Sequence, residues 1–424
     1  MGVEAFLATM PHHVSLAVLW ESKWRDACLR SVYPFHDGHF GDFEPIFISL
    51  MNSGWENESS AYTREFIQKG LELEKKGDQV LAEGQTEEAS KLYLRAACVL
   101  RIGRFPYITS FPTVNCQRRW SVWVIQKAVY MKAAELWEAP IEDVRIPHAC
   151  KKGQDRDTIP AYVRVPAVGE QKSPFPTVLL LTGLDGYRPD NTTRLDEFTK
   201  RGWASVVVEI PGTAECPADP ADPESPDRLW DSLFQWMERD GRFDMQRVMC
   251  WGLSAGGFYA VRIAHTHPNH LIGCVAQGAG THHFLSPAWL ECIDRHEYPF
   301  TLLPSLAKKY GYNKTDDFVI EAQKKFSLVE TEIVNRKSTR LLLVNGTLDG
   351  LMPIEDSMLM FEYGTPKEAS FVPGALHMGY PSANDAIYPW MEKVMTTEKS
   401  EIPAQPQPES QLPSMAWQDE RPLD

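Results

Sequence analysis

Residues 248–265 read VMCWGLSAGGFYAVRIAH, and this stretch decides the fold. The apolar run Val248–Trp251 predicts a buried strand, and Ala255–His265 predicts a helix that follows it at once. The turn between them is Gly-Leu-Ser-Ala-Gly, with Ser254 at its centre. A serine on such a strand-to-helix turn sits in a strained conformation, so its neighbours must lack bulk. The stretch therefore predicts an α/β sheet in which Ser254 is the nucleophile.

The same alternation of strands and helices continues on both sides of Ser254. The predicted strands are Val144–Pro147, Ala161–Val165, Val178–Leu181, Ala204–Ile210, Arg247–Gly252, Ile272–Ala276, Arg340–Asn345 and Ala369–Val372. The predicted helices between them are Asn191–Lys200, Pro226–Arg239 and Ala255–His265. The first two strands form a hairpin. Apolar strands alternating with helices predict a mostly parallel sheet covered by helices on both faces.

Four regions are expected along the chain. Residues 1–14 form a flexible start, and 15–138 form a helical domain that includes helices over Ala61–Ala82, Thr86–Leu100 and Arg118–Trp137. Residues 139–395 form the catalytic domain, with a helical insertion at about 284–335. Residues 396–424 are rich in Pro and Gln and poor in aliphatic side chains, so we expect a disordered tail. The aromatic side chains of the helical domain form either its core or the lining of an apolar pocket.

Composition excludes several classes of protein. The 424 residues carry 43 Lys+Arg against 57 Asp+Glu, a net charge of -14, which disfavours nucleic acid as a partner. No apolar run approaches the roughly 18 residues of a membrane-spanning helix. The eight cysteines lie apart without metal-site spacing, so we expect no metal and no cofactor. The chain shows no secretory signal pattern, which predicts an intracellular protein, cytoplasmic or associated with vesicles or endosomes.

A serine nucleophile needs a base and an acid that orients the base. In open α/β sheets with this serine turn, the chain order is Ser, acid, His. Asp349 directly follows a predicted strand, and His377 lies in a Gly-flanked loop after the last strand. Asp356 and Glu355 are alternative acids, but both fall within the next helix. The order therefore predicts a catalytic triad of Ser254, Asp349 and His377.

The oxyanion formed on an attacked carbonyl needs preorganised N–H donors. The backbone of Ala255 is one expected donor, because it directly follows the nucleophile. The second is expected in the loop after strand Val178–Leu181, from Gly183 or Leu184. Asp185 in the same loop either faces the cavity as a chemical group or forms a local turn with the backbone.

Three further side chains are candidates for substrate binding. Tyr187 lies in the loop of the expected oxyanion donors. Glu209 ends a predicted strand, where a structural carboxylate is the favoured interpretation. His282 follows a Gly-rich turn, and it either lines the pocket or caps a helix. His283 follows it directly, but a metal site would need further ligands nearby, and the sequence shows none.

Long segments resemble the fungal naphthopyrone hydrolases of dihydroxynaphthalene-melanin pathways. These segments are LLLTGLDGYRPDN, EIPGTAECPADPADPESPDRLWDS, WGLSAGGFYAVRIAHTHP, QKKFSLVET and HMGYP, with VLWESKW, SVYPFHDG and RFPY in the helical part. The similarity spans most of residues 15–395. The wider family is the α/β-hydrolases with an N-terminal helical domain, which includes carbon–carbon bond hydrolases such as dihydroxypseudooxynicotine-type hydrolase.

The resemblance implies an α/β-hydrolase fold and a small aromatic polyketide as substrate. The enzyme would shorten a heptaketide naphthopyrone to tetrahydroxynaphthalene, releasing an acetyl or acetoacetyl fragment. Ser254, Asp349 and His377 match the family's triad, and Asp185 stands where carbon–carbon hydrolases carry Glu. The alternatives are a carboxylesterase or lactonase for another polyketide, and a non-catalytic interaction protein. The sequence leaves a homodimer open.

Overall fold

The computed structural model describes residues 9–54, 60–167 and 174–396. The expected disordered tail at 396–424, apart from residue 396, lies outside the described residues, as do the first eight residues. Within the described part, a mixed sheet lies at the centre and helices cover both of its faces. None of the described helices is both long and apolar enough to cross a membrane.

The sheet has eight strands. They are β1 (Ile141–Pro147), β2 (Thr158–Arg164), β3 (Phe175–Leu181), β4 (Ala204–Val208), β5 (Phe243–Leu253), β6 (Gly273–Gln277), β7 (Leu341–Gly346) and β8 (Glu368–Val372). Their order is β1-β2-β4-β3-β5-β6-β7-β8. β1 pairs with β2 and β2 with β4 in antiparallel fashion, and the other neighbours are parallel.

The helices divide between an N-terminal layer and the sheet's flanks. In the N-terminal layer, α1 is the continuous helical run 16–29, followed by α2 (Phe40–Asn52), α3 (Ser60–Ala82), α4 (Thr86–Arg104) and α5 (Gln117–Ala134). Around the sheet lie α6 (Thr192–Lys200), α7 (Ser225–Asp240), α8 (Ala255–Thr266), α9 (Pro287–Leu290), α10 (Leu303–Lys309), α11 (Thr315–Phe326), α12 (Ile354–Leu359) and α13 (Asn384–Met395). Short 3₁₀ turns lie at Pro11–His13, Arg188–Asp190, Pro268–His270, His283–Leu285, Ile293–Arg295, Ile333–Asn335, Met360–Glu362 and His377–Gly379.

Strand β3 shows why the sheet is covered on both faces. Val178 and Leu180 pack into one apolar cluster, and Leu179 and Leu181 pack into the other. All four side chains are fully buried. Successive side chains of a strand point to opposite faces, so two burying faces require a continuous apolar run.

The strand order reverses between β3 and β5, which positions the site. From β3 the chain proceeds to β4 on one side, whereas from β5 it proceeds to β6 on the other. The loops after β3 and β5 therefore leave the same edge of the sheet in opposite directions. Such a switch point opens a crevice at the carboxyl ends of the strands.

Buried polar contacts fasten the N-terminal layer over this crevice. Arg104 is fully buried and donates to Gln126 Oε1 at 2.5 Å, to the carbonyl of Asp185 at 2.9 Å and to Asp190 Oδ2 at 2.6 Å. A buried guanidinium left without partners would be costly, so these bonds fix the layer relative to the loop after β3.

Candidate active site

Ser254 sits on a strained turn at the end of β5. Its backbone has φ 57° and ψ −123°, a conformation that side-chain-bearing residues rarely adopt. A Cβ on Gly252 would come within 2.1 Å of the Gly256 carbonyl oxygen, and one on Gly256 within 2.4 Å of the Thr182 oxygen. The turn therefore closes only because both flanking positions are glycine.

The structure brings Ser254, His377 and Asp349 together in hydrogen-bonding order. His377 Nδ1 lies 2.7 Å from Asp349 Oδ2, and His377 Nε2 lies 2.7 Å from Ser254 Oγ. Nδ1 must carry the proton in this tautomer, because an ionised carboxylate can only accept. Nε2 is then free to accept the proton of the serine hydroxyl. The arrangement suits nucleophilic attack by Ser254.

Asp349 is buried and held by the backbone that follows it. Its Oδ1 accepts from the N–H groups of Leu351 at 2.7 Å and Met352 at 2.9 Å. The alternative acids lie elsewhere. Asp356 accepts from three consecutive backbone N–H groups, at positions 282–284, and Glu355 is exposed. Asp349 is thus the acid placed to orient His377.

Charge near His377 opposes the effect of its burial. Burial lowers the pKa of the imidazole. The Asp349 carboxylate and its hydrogen bond, together with the charges of Glu297 and Asp185, raise this pKa by more than burial lowers it. The net result is a pKa above the ordinary value. Such an imidazole is a stronger base towards Ser254, and its protonated form is stabilised during catalysis.

The two candidate oxyanion donors in the loop after β3, Gly183 and Leu184, differ in the hydrogen bonding of their backbone N–H groups. The Gly183 N–H donates to the Gly186 carbonyl at 3.2 Å. This favours Leu184 as the donor that faces a substrate oxygen. Both residues, together with Ala255, line the cavity above Ser254.

Asp185 lines the cavity, and its carboxylate accepts hydrogen bonds from two phenols. Its Oδ1 accepts from the Tyr33 hydroxyl at 2.6 Å, and its Oδ2 accepts from the Tyr298 hydroxyl at 2.8 Å. The Asx-turn alternative does not describe this side chain, since both oxygens bond to distant residues. Burial, with the nearby Asp185 charge, raises the pKa of both tyrosines well above the ordinary value. The phenols therefore keep their protons.

The cavity above Ser254 has a volume of about 290 Å³, near the lower end of the ~300–1,000 Å³ typical of small-molecule sites. It is lined by residues of the N-terminal layer, the insertion and the loops that carry the triad. Its walls are mostly apolar, with aromatic rings from Trp24, Tyr33, Phe105, Tyr298 and Tyr380. Of the helical-domain aromatics, some thus line a pocket, whereas Phe43 and Phe47 are fully buried in the core.

Three expected substrate-binding residues lie away from this cavity, which corrects the expectation. The Tyr187 hydroxyl is fully buried between the backbone N–H of Ile108, at 3.0 Å, and backbone carbonyls. Glu209 forms a buried ion pair with Arg188. Burial raises the pKa of Glu209 although Arg188 opposes it. Both are structural: Glu209 is the structural carboxylate that the sequence favours, and Tyr187 bonds to the backbone of Ile108, which lies 79 residues away along the chain.

His282 is the third of these residues. Its Nδ1 lies 2.8 Å from the Ser327 hydroxyl, and its backbone N–H donates to Asp356. Burial lowers its pKa. It therefore helps to join the start of the insertion to α11, and it does not line the cavity. The described residues contain no group of three or more His, Cys, Asp or Glu arranged to hold a metal ion.

Several polar residues that line the cavity do not belong to any sequence motif. Lys23, Arg101, Arg194 and Glu297 all line it. Lys23 and Arg101 belong to helices of the N-terminal layer, and Glu297 belongs to the insertion. Their only sequence signal is a charge within a region rich in apolar residues, and that signal is shared by many surface positions.

The chain is similar to proteins of the esterase FrsA-like family, whose pattern matches residues 54–396. Esterase FrsA of Yersinia enterocolitica is 21% identical over 310 residues, which make up 72% of this chain and 69% of that relative. Esterase FrsA of Yersinia pestis is 20% identical over 346 residues, 81% of this chain and 78% of the relative.

Solved structures share the architecture. The crystal structure of the 2,6-dihydroxy-pseudo-oxynicotine hydrolase matches with a TM-score of 0.65 at 18% identity, over 87% of this chain and 93% of that one. AbyA5 matches with a TM-score of 0.57 at 17% identity, over 77% of this chain and 88% of that one. These likenesses confirm the predicted α/β-hydrolase fold with its N-terminal helical layer.

Proposed function

We propose that this chain, which belongs to the esterase FrsA-like family, is a serine-type α/β-hydrolase that cleaves a carbon–carbon bond beside a ketone of an aromatic polyketide. The family makes it a hydrolase of the esterase type. The choice of bond is the further step. It rests on one observation: Asp185, with the hydroxyls of Tyr33 and Tyr298, lies in the same cavity as the Ser254 hydroxyl.

This cluster matters because the two reactions differ in their leaving groups. Ester cleavage expels an oxygen anion, which His377 alone can protonate. Cleavage of a carbon–carbon bond expels a carbanion, and its protonation is more demanding. Two phenols that keep their protons, oriented by one carboxylate, are suitable donors or relays for this step. An ordinary esterase triad needs no such cluster.

The proposed reaction begins when His377 Nε2 takes the Ser254 proton and Oγ attacks the ketone carbonyl. The oxyanion accepts hydrogen bonds from the amides of Ala255 and Leu184. On collapse, the Oγ–carbon bond is kept and the bond to the ring carbon breaks. The ring carbon keeps the electron pair and receives the proton held by His377, either directly or relayed through the Tyr33–Asp185–Tyr298 cluster, and His377 becomes neutral again. Water, activated by His377, then releases the acyl group as an acid.

The cavity supports an aromatic substrate. It is lined by aromatic rings from the N-terminal layer and the insertion, which suit contact with the face of a flat fused-ring compound. The resemblance implies a heptaketide naphthopyrone as substrate and tetrahydroxynaphthalene as product, which would place the enzyme in melanin biosynthesis. The structurally similar 2,6-dihydroxy-pseudo-oxynicotine hydrolase is likewise named for a hydroxylated aromatic substrate.

A second candidate is an esterase or lactonase acting on another polyketide. The observation that favours it is the esterase description of the family itself. The triad would serve both reactions, so the products decide between them. A non-catalytic role is disfavoured by the intact Ser254–His377–Asp349 hydrogen bonds, and labelling of Ser254 by a fluorophosphonate checks this directly.

Mass spectrometry of the products formed from the heptaketide naphthopyrone tests the proposal. We expect tetrahydroxynaphthalene together with acetoacetate from the wild-type enzyme, because a four-carbon acid balances the carbon count of a single cleavage. The Ser254→Ala variant should fold and form neither product. Unchanged naphthopyrone in the presence of an enzyme that hydrolyses simple aryl esters would favour the second candidate. Substantial product from Ser254→Ala would contradict the serine mechanism.

A further inference from the structure

Glu297, in the insertion, joins the loops of the triad's acid and base. Its Oε2 accepts from the backbone N–H of His377 at 3.0 Å and from that of Gly350 at 3.5 Å. Gly350 directly follows Asp349. The Glu297 side chain is largely buried, and it lines the cavity. One carboxylate oxygen thus faces both loops that must stay in register for Asp349 to orient His377.

The other oxygen of Glu297 faces the N-terminal layer. Its Oε1 lies 3.8 Å from Nζ of Lys23, which is on α1. Burial lowers the pKa of Lys23, and the Glu297 charge counteracts this effect. Burial likewise raises the pKa of Glu297, and Lys23 opposes that shift. Each charge therefore favours the ionised state of the other.

Neighbouring contacts of the insertion support the same loop. His296 Nδ1 lies 3.0 Å from the Gly350 carbonyl oxygen. The Trp289 indole N–H donates to the Leu351 carbonyl at 3.1 Å. Glu297, His296 and Trp289 of the insertion therefore all contact the loop that carries Asp349, and Glu297 also accepts from the backbone N–H of His377.

We propose that Glu297 is a positioning residue for the triad: it fixes the loops of Asp349 and His377, and its charge stabilises protonated His377. This inference rests on the proposed serine-hydrolase function. Asp349, Glu297 and Asp185 are the negative groups that act on His377, with Lys23 as the positive group behind Glu297. Glu297 is the one of the three carboxylates that touches the backbone of the histidine.

Hydrolysis of p-nitrophenyl acetate, measured as kcat/KM across the neutral pH range, separates the two effects. Glu297→Gln keeps an oxygen acceptor for the His377 N–H but removes the charge. We expect the acid limb of its profile to move to lower pH, so that the ratio of variant to wild-type activity rises as the pH falls. Glu297→Asp keeps the charge and should leave the limb in place. Glu297→Ala loses the anchor, and its kcat should fall at least about tenfold.

Glu291→Gln is the matched control, because Glu291 is exposed and lies in the same insertion. Its profile should coincide with that of the wild type. An unmoved acid limb in Glu297→Gln, or an equal movement in Glu291→Gln, would overturn the proposal. Thermal melting checks folding, and Glu297→Gln and Glu297→Asp still decide if Glu297→Ala does not fold. Ester turnover by Ser254→Ala would instead refute the proposed function, so the two failures are distinguishable.

Discussion

The triad loops differ in origin from the roof of the cavity, by which we mean the residues that the N-terminal layer and the insertion contribute to its lining. Ser254, Asp349 and His377 each lie just after a parallel strand, so the sheet alone brings them to one edge. Asp185 lies on that edge too, but its phenolic partners are 152 and 113 residues away along the chain, in the N-terminal layer and the insertion. In the proposed function, the sheet therefore supplies the Ser254–His377–Asp349 triad, and the roof supplies the groups that select the bond.

The largest effect is expected from the triad. Asp349→Asn should lower kcat by about 10⁴-fold for both an aryl ester and the naphthopyrone, because the amide favours the wrong histidine tautomer. Steady-state kinetics with the two substrates measures this. Asp356→Asn should not reproduce this loss, since Asp356 accepts from the backbone N–H groups of residues 282–284 and His377 bonds to Asp349. If Asp349→Asn lost only one of the two activities, the triad would not serve both reactions.

The same contrast explains what the sequence could and could not predict. The fold class and most strands follow from the alternation of apolar runs, and Ser254 follows from its glycine-flanked turn. Tyr187 was expected to bind substrate, but its hydroxyl bonds to the backbone of Ile108, a partner that no local pattern identifies, whereas Glu209 has the structural role that the sequence favours. Tyr298 and Glu297 were not predicted at all, since their function depends on how the insertion folds back over the sheet. Helix α13, which follows the His377 loop after β8, was also not predicted.

The roof should matter for one reaction only. Replacing both Tyr33 and Tyr298 by Phe should lower carbon–carbon cleavage about 10–100-fold, because the proton donors beside Asp185 are lost. Hydrolysis of a small aryl ester should change less than about threefold. Parallel assays on the double variant check the prediction. Equal losses in both assays would mean that the phenols only shape the cavity.

The pH dependence tests the base. His377 must be neutral to accept the serine proton, and its pKa is raised above 6.5 in the folded protein. The value of kcat/KM for a neutral ester should therefore fall about tenfold per pH unit below a midpoint that lies above 6.5. A pH profile with the midpoint below 6.5 would contradict the electrostatic account of the site.

The smallest catalytic effect is expected where the structure corrects the sequence. Tyr187→Phe removes the hydroxyl that accepts from the Ile108 N–H, so a buried donor loses its partner. We expect the free energy of unfolding to fall by about 1–3 kcal/mol. Activity at a temperature where the variant is folded should stay within about threefold of the wild type. Chemical denaturation and ester kinetics measure the two quantities, and a selective loss of activity would return Tyr187 to the substrate site.

In the proposed function, the Asp185 carboxylate of the cavity enables a hydrolytic triad to cleave a carbon–carbon bond. The ratio of naphthopyrone cleavage to aryl-ester hydrolysis in Asp185→Asn tests it most directly. Asn is close to Asp in size and keeps one oxygen acceptor, so the fold and the triad should persist. We expect the ratio to fall at least about tenfold in Asp185→Asn, with ester hydrolysis nearly unchanged. A ratio equal to that of the wild type would contradict it.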